Sequence, residues 1–182
     1  KNINTGQTLG NANKGGLRAK VAWQADDKTN IVVSGNWMQD NSQATGVYNI
    51  QDLSRNTPAY SNNRDTSWGF RPEFLKLSGN EGQTKPSYNN TFWGAGVNIT
   101  RNLGFANLTT ISAFQQMYVH NLMDLDGTRY AIYDVDVNTN ANMFSQEVKL
   151  ASRNPQSRLQ WTVGMYYDRT QMRSSIFNDY SQ

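Results

Sequence analysis

Residues 144–168, FSQEVKLASRNPQSRLQWTVGMYYD, restrict the fold of this chain more than any other stretch. Two runs of alternating apolar and polar residues flank a break that contains Asn, Pro and Ser, which is the sequence pattern of a β-hairpin. In the second run Val163 and Met165 share one face of the predicted strand, whereas Thr162 and Gly164 share the other. A hairpin with one apolar and one polar face is typical of soluble β-sandwiches and of membrane β-barrels.

The composition of the chain excludes several classes of protein. Mean hydropathy is −0.73, and no apolar run approaches the roughly 18 residues that a membrane helix needs. The 17 basic and 14 acidic residues are spread along the chain, without the basic clusters that bind phosphate backbones, so we expect no nucleic-acid partner. Because Cys is absent, disulfides, thiolate metal sites and Cys nucleophiles are excluded.

Alternation of the same kind recurs along the chain and predicts six strands. They cover residues 16–25, 29–40, 91–101, 105–118, 142–152 and 159–170. The predicted connections alternate between short breaks, the last at 153–158, and long polar stretches at 41–90 and 119–141. Transmembrane barrels show this asymmetry, because their turns are short on one side of the membrane and their loops are extended on the other.

The stretches that alternate most regularly resemble a known family. FSQEVKLAS at 144–152, followed by LQWTVGMYYD at 159–168, is similar to the barrel segment of TonB-dependent outer-membrane receptors. GLRAKVAWQADDKTNIVVSGNW at 16–37 and LTTISAF at 108–114 resemble adjoining strands of those receptors. The resemblance implies an all-β fold, an antiparallel up-and-down transmembrane β-barrel segment of about six strands within a plugged barrel of about 22.

The resemblance also implies a function and a location. Receptors of this kind lie in the bacterial outer membrane and take up a scarce ligand, which is an iron chelate such as a siderophore, haem, cobalamin or a saccharide. The implied partners are this ligand, outer-membrane lipid and lipopolysaccharide, the receptor's own plug domain and, through that plug, an inner-membrane energy-coupling protein. Residues 1–182 would then form part of one barrel domain, with the plug and the remaining strands outside them. Neither a cofactor nor an enzymatic activity is implied.

Charged side chains on the predicted strands favour a wet barrel interior. A basic group near the bilayer midplane costs roughly 2–4 kcal/mol, so the polar face should turn away from lipid. We expect Leu159, Trp161, Val163 and Met165 to face lipid. The residues expected to face the lumen or the plug are Arg18, Lys20, Glu147, Lys149, Gln160, Thr162 and Tyr166. On the sequence alone, the same charges also fit the solvated face of a soluble sheet.

Candidate ligand-binding residues lie in the two long polar stretches, where no strand pattern requires large side chains. Aromatic rings there offer apolar surface, and Arg offers a planar fork of donors. The candidates in the first stretch are Tyr60, Arg64, Trp68, Phe70 and Arg71. His120, expected at the base of the second stretch, and Asp124 and Asp126 within it complete the set.

The second stretch concentrates four aspartates, Asp124, Asp126, Asp134 and Asp136. Carboxylates at this spacing can hold a hard cation, but the distal Glu and further oxygen ligands of an EF-hand are missing. The sequence therefore favours a solvated acidic loop over a calcium site, and predicts no metal site. With His120 as the only histidine, it also predicts no histidine-based zinc site and no catalytic triad.

Two other functions stay open from the residues alone. One is a soluble β-sandwich that binds a polysaccharide through Trp68, Phe70 and Tyr60. The other is a passive porin-like barrel without a plug. Sheet topology separates the sandwich from a barrel, because a sandwich divides its strands between two sheets.

Overall fold

In a computed structural model of the chain, residues 1–48, 66–128, 130–154, 156 and 158–180 are described. The elements in chain order are β1 Lys14–Asp26, β2 Thr29–Asp40, α1 Pro72–Leu77, β3 Ser87–Asn102, β4 Ala106–Asp124, β5 Tyr133–Ser152 and β6 Thr162–Tyr180. All six strands form one sheet in sequence order, each antiparallel to its neighbours. The predicted up-and-down segment is confirmed. The sandwich alternative is wrong, because the described strands form a single sheet.

The two ends of the sheet differ. At the turn end, residues 27–28, 103–105 and 153–161 connect the strands, and at the loop end the connections are 41–86 and 125–132. The two loop-end connections follow β2 and β4, which run in the same direction. Both connections therefore leave the sheet at the same end, as the sequence predicts. Within the described parts of the chain, no helix is long and apolar enough to cross a membrane.

The later strands continue further toward the loop end than the sequence predicts. β4 ends at Asp124 and β5 begins at Tyr133, so the predicted long connection 119–141 is wrong, and the real one covers only 125–132. The stretch YDVDVNTNANM at 133–143 alternates, but its polar side chains lie on the face that carries apolar side chains nearer the turn end. The backbone ladder pairs this stretch with β4 and β6, which lengthens both hairpins.

The last strand also begins later than predicted. β6 starts at Thr162, and Leu159, Gln160 and Trp161 belong to the connection from β5. The Ser152 amide donates to the Trp161 carbonyl oxygen at 2.8 Å, and the Trp161 amide donates to the Ser152 side-chain oxygen at 3.0 Å. A side-chain oxygen therefore replaces one backbone acceptor where the β5–β6 pairing ends. The predicted alternating faces therefore do not apply to Leu159, Gln160 and Trp161 as strand residues.

The ladder register divides the sheet into two faces that continue across all six strands, apart from a register shift between Gln24 and Asp26 in β1. Cross-strand partners share a face, so the row Val21, Val33, Val97 belongs to one face along with Trp23, Trp37, Trp93, Phe144, Val163 and Met165. This apolar face leaves large side chains uncovered, with Leu17 70% and Met165 71% exposed. The opposite, polar face carries Arg18, Lys20, Glu147 and Lys149. Toward the loop end the first face also becomes polar, because Asp134, Asp136 and Arg169 lie on its continuation.

A small hydrophobic core lies at the loop end. It consists of Phe74 and Leu75 of α1, Leu122 of β4 and the partly buried Phe70. Leu122 lies on the continuation of the apolar face, because β4 pairs with β5 without any shift in register. A six-residue helix is too short to be stable alone, so this packing is what holds α1 on the sheet.

Candidate functional site

The two loop-end connections meet at a junction beside the ends of β4 and β5. The Ser67 amide donates to the Gly127 carbonyl oxygen at 3.1 Å, and the Thr66 hydroxyl bonds to the Val47 carbonyl oxygen. Gly127 has φ 68°, and a Cβ there would lie 2.9 Å from the Val47 oxygen. The junction therefore requires glycine at this position.

Asp124 and Asp126 organise the junction by accepting hydrogen bonds from its backbone. One oxygen of Asp124 accepts from the amides of Asp126 and Gly127, and the other accepts from the Gly69 amide at 2.9 Å. Both oxygens of Asp126 are also used, by Thr128 on one side and by the amides of Ile132 and Tyr133 on the other. The pair thus ties residues 66–69 to the β4–β5 turn.

Asp134 completes a group of three carboxylates at this junction. Its ligand oxygen and those of Asp124 and Asp126 all lie within 4.8 Å of one another. Asp124 and Asp126 are each 4% exposed and Asp134 is 0% exposed, so the prediction of a solvated acidic loop is wrong. The turn 125–132 and residues 66–69 cover the carboxylates, and this covering depends on contacts between segments far apart in sequence.

Burial changes the acidity of two of these groups. Desolvation, followed by the charge of Asp126, raises the pKa of Asp124 to about 7. Desolvation and the charges of Asp124 and Asp126 raise the pKa of Asp134 to about 8, against a smaller opposing effect of Arg71. Gln116 of β4 is the cross-strand partner of Trp93. Asp124 lies eight residues further along β4, which is roughly 26 Å of strand. The three carboxylates therefore lie beyond the band of apolar side chains.

A second polar group links α1 to the sheet. The His120 Nε2 lies 2.7 Å from an oxygen of Asp136, and the Asn80 side-chain amide donates to the same oxygen at 3.0 Å. The Asn138 amide donates to the other oxygen of Asp136 at 2.5 Å. His120 lies inside β4, so its predicted position at a loop base is wrong. The arrangement accounts for Asp136 as a buried acceptor and for His120 as its partly buried structural partner.

The aromatic and basic candidates of the first stretch are packed against the same region. Trp68 is 4% exposed and donates from its indole nitrogen to the Thr84 carbonyl oxygen, so this candidate is packed into the fold although no strand contains it. Phe70 stacks on Phe74 at a centroid distance of 6.2 Å. Arg71 forms an ion pair with Asp179 of β6. Tyr60 and Arg64 lie outside the described residues.

The predicted lumen-facing residues come together on the polar face. The register places Arg18, Lys20, Glu147, Lys149, Thr162 and Tyr166 there. A shallow depression of about 240 Å³ on this face is lined by Gln115, Ser145, Tyr166 and Asp168, among others. Sequence alternation alone identifies these residues as one face, because their side chains follow the period of two that the ladder enforces. Gln160 is separate, in the β5–β6 connection.

Sequence comparisons give no relative for this chain, since no known protein family and no curated protein matches it. Among solved structures, the chain is similar to the ferric yersiniabactin uptake receptor FyuA from Yersinia pestis, with a TM-score of 0.69 and 14% identity. The likeness covers 98% of this chain but 25% of that receptor, so the chain spans about a quarter of its length. At this identity the likeness shows the fold alone, which is that of a β-barrel segment.

Proposed function

We propose that this chain forms part of the barrel wall of a bacterial outer-membrane uptake receptor. The observation that carries the proposal is the single sheet whose apolar and polar faces stay in register across six antiparallel strands. The likeness in fold to an uptake receptor supports it. The proposed role is transport, in which the chain binds and guides a ligand and catalyses no covalent step.

In this role the apolar face contacts lipid and the polar face lines the lumen. An uncovered apolar surface of this extent is unfavourable in water, and contact with lipid removes that cost. Trp37 and Trp93 are cross-strand partners on the apolar face, where aromatic side chains suit the boundary between hydrocarbon and headgroups. The proposed location is therefore the bacterial outer membrane, with lipid and lipopolysaccharide as neighbours.

On the polar face, charged side chains find water or a polar plug. Lys149 is opposite Gly164, and Glu147 is opposite Tyr166, so both charges lie beside the last described strand on the proposed lumen side. Arg18 and Lys20 place basic side chains on the same face at β1. We propose that these four residues contact a plug domain outside the chain, through which an inner-membrane protein supplies energy.

The ligand class that we would test first is an iron chelate, because the structural neighbour is a ferric yersiniabactin uptake receptor. Haem, cobalamin and saccharides are the comparison ligands. The test is uptake by the full-length protein before and after the inner-membrane proton gradient is dissipated. If uptake stops, the protein is an energy-coupled receptor. If uptake continues at the same rate, it is a passive porin.

Two neighbouring substitutions in the full-length protein test the assignment of faces. Val33→Arg places a charge on the apolar face, in the row midway between Arg101 and the Trp37–Trp93 pair, where a basic group costs roughly 2–4 kcal/mol if that row lies near the bilayer midplane. Ser34→Arg places the same charge on the polar face, one residue away and beside Lys20. We expect Val33→Arg to reduce folded, heat-resistant protein in outer-membrane fractions several-fold, and Ser34→Arg to leave it near the wild-type level. Equal losses for both variants would contradict the assignment.

A further inference from the structure

We propose that Asp124, Asp126 and Asp134 bind one calcium ion at the junction between the β4–β5 turn and residues 66–69. The inference is independent of the proposed transport function, because it rests on the local arrangement of the three carboxylates. A calcium ion there would fix the loop-end connections to the sheet. Removal of the ion would loosen them without unfolding the strands.

The observation that points to a ligand is the Asp134 side chain. It is 0% exposed, and neither of its oxygens has a hydrogen-bond partner among the described residues. Asp124 and Asp126, in contrast, accept backbone hydrogen bonds at both of their oxygens. A buried carboxylate without any partner is costly, so the free oxygens of Asp134 call for a cation or a proton.

Among the described residues, Arg71 is the basic group whose charge acts on Asp134. Its guanidinium is already used in an ion pair with Asp179. Asp179 is the cross-strand partner of Asp134, so Arg71 neutralises one carboxylate of a larger acidic region. Asp134 is therefore left facing Asp124 and Asp126 without a hydrogen bond of its own in the described part of the chain, an arrangement that a divalent cation stabilises.

The spacing of the carboxylates fits the size of calcium. Calcium–oxygen distances are about 2.3–2.6 Å, so two oxygens on opposite sides of one ion are about 4.6–5.2 Å apart. The three ligand oxygens lie within 4.8 Å of one another, which allows one ion to contact all of them. Magnesium, with oxygen distances of about 2.0–2.1 Å, requires a tighter octahedral shell. The buried hydroxyl of Thr128, backbone carbonyls and water can complete the coordination.

The test uses the full-length protein, folded in detergent and freed of divalent ions with EDTA. Calcium is titrated calorimetrically, and terbium is titrated in parallel as a luminescent substitute for calcium. We expect saturable calcium binding, tighter than magnesium binding. Asp134→Asn, which keeps the size of the side chain and removes its charge, should weaken calcium binding at this site at least tenfold.

A matched control is Asp40→Asn. Asp40 is also a buried carboxylate at the loop end, but it is paired with Lys14 at 3.0 Å. This variant should bind calcium like the wild type. Calcium binding that is absent from the wild type, or that is the same in Asp134→Asn and the wild type, would overturn the proposal.

A second measurement needs no variant, in case Asp134→Asn does not fold. Hydrogen exchange of the wild-type protein is compared in calcium and in EDTA. We expect calcium to slow exchange at least tenfold at the amides of residues 67–69 and 126–133, and to leave the β1–β2 hairpin unchanged. Equal exchange in both buffers at the junction would refute the site.

Discussion

The attachment of α1 to the sheet gives the sharpest prediction about stability. Phe74 is 2% exposed and stacks on Phe177 of β6 at 5.7 Å and on Phe70 at 6.2 Å. Leu75 and Leu122 complete its surroundings. We predict that Phe74→Ala releases the segment around α1 from the sheet while the six strands stay paired, because the ladder does not depend on this ring.

The magnitude follows from the burial of the ring. Truncation of a fully buried Phe to Ala costs about 3–5 kcal/mol, which includes the cavity left behind. Since each 1.4 kcal/mol is a factor of ten, the lower figure corresponds to about a hundredfold loss of protection against local opening. The amides that report this opening include Leu75, Ser78 and Asn80, which donate to Arg71, Phe74 and Leu75.

Hydrogen exchange with mass spectrometry on the full-length protein provides the assay, with peptides that cover residues 71–80. Leu77→Ala is the matched control, because Leu77 lies in the same helix and is 73% exposed. Its effect should stay within about 0.5 kcal/mol, or roughly a factor of two in exchange. If Leu77→Ala accelerates exchange as much as Phe74→Ala, or if Phe74→Ala has no effect, the core is not what holds α1.

Two further predictions concern the junction. Gly127→Ala should loosen it more than Gly104→Ala loosens the β3–β4 turn: both glycines have positive φ, but only at Gly127 does a Cβ collide with backbone, at the Val47 oxygen. Equal exchange rates in the two variants at their own sites would refute this. In EDTA, protection of the junction should fall as pH rises from about 5 to 9. The folded state holds extra protons on Asp124 and Asp134, whose pKa values are raised to about 7 and about 8, and it loses their stabilisation as they ionise. If protection of the junction rises with pH over this range, these carboxyl groups do not stabilise it in their protonated form.

The part of the fold that sequence could predict is the part with alternating polarity. β2 was predicted as 29–40 and is observed as Thr29–Asp40, and β1 differs by at most two residues at its start and one at its end. In these strands each side chain has one of two environments, so the period of two is visible in the sequence. The same pattern predicted the two faces of the sheet, including the shared face of Lys20 and Lys149.

The loop end was not predicted in this way. In β5, residues 133–137 alternate in polarity, but their aspartates lie on the face that is apolar nearer the turn end, so the stretch resembles an acidic loop more than a continuation of the strand. The burial of Trp68 and Asp134 depends on α1 and residues 66–69 folding back onto the sheet, which joins residues more than fifty positions apart. A spacing of two between aspartates indicates a possible cation site, but only the contacts between segments show that Asp134 lacks a partner.

If this sheet is a barrel wall, with lipid on one side and the lumen on the other, alternate residues of β6 contact different surroundings. A cysteine scan of residues 162–167 in the full-length protein, with one spin label at each site, detects this difference; residues 1–182 contain no Cys, and any Cys outside them is replaced first. In lipid vesicles, we expect labels at 163, 165 and 167 to be accessible to oxygen and labels at 162, 164 and 166 to be accessible to a polar nickel chelate. An alternation with the opposite phase, or accessibility to the nickel chelate at all six positions, would contradict this expectation.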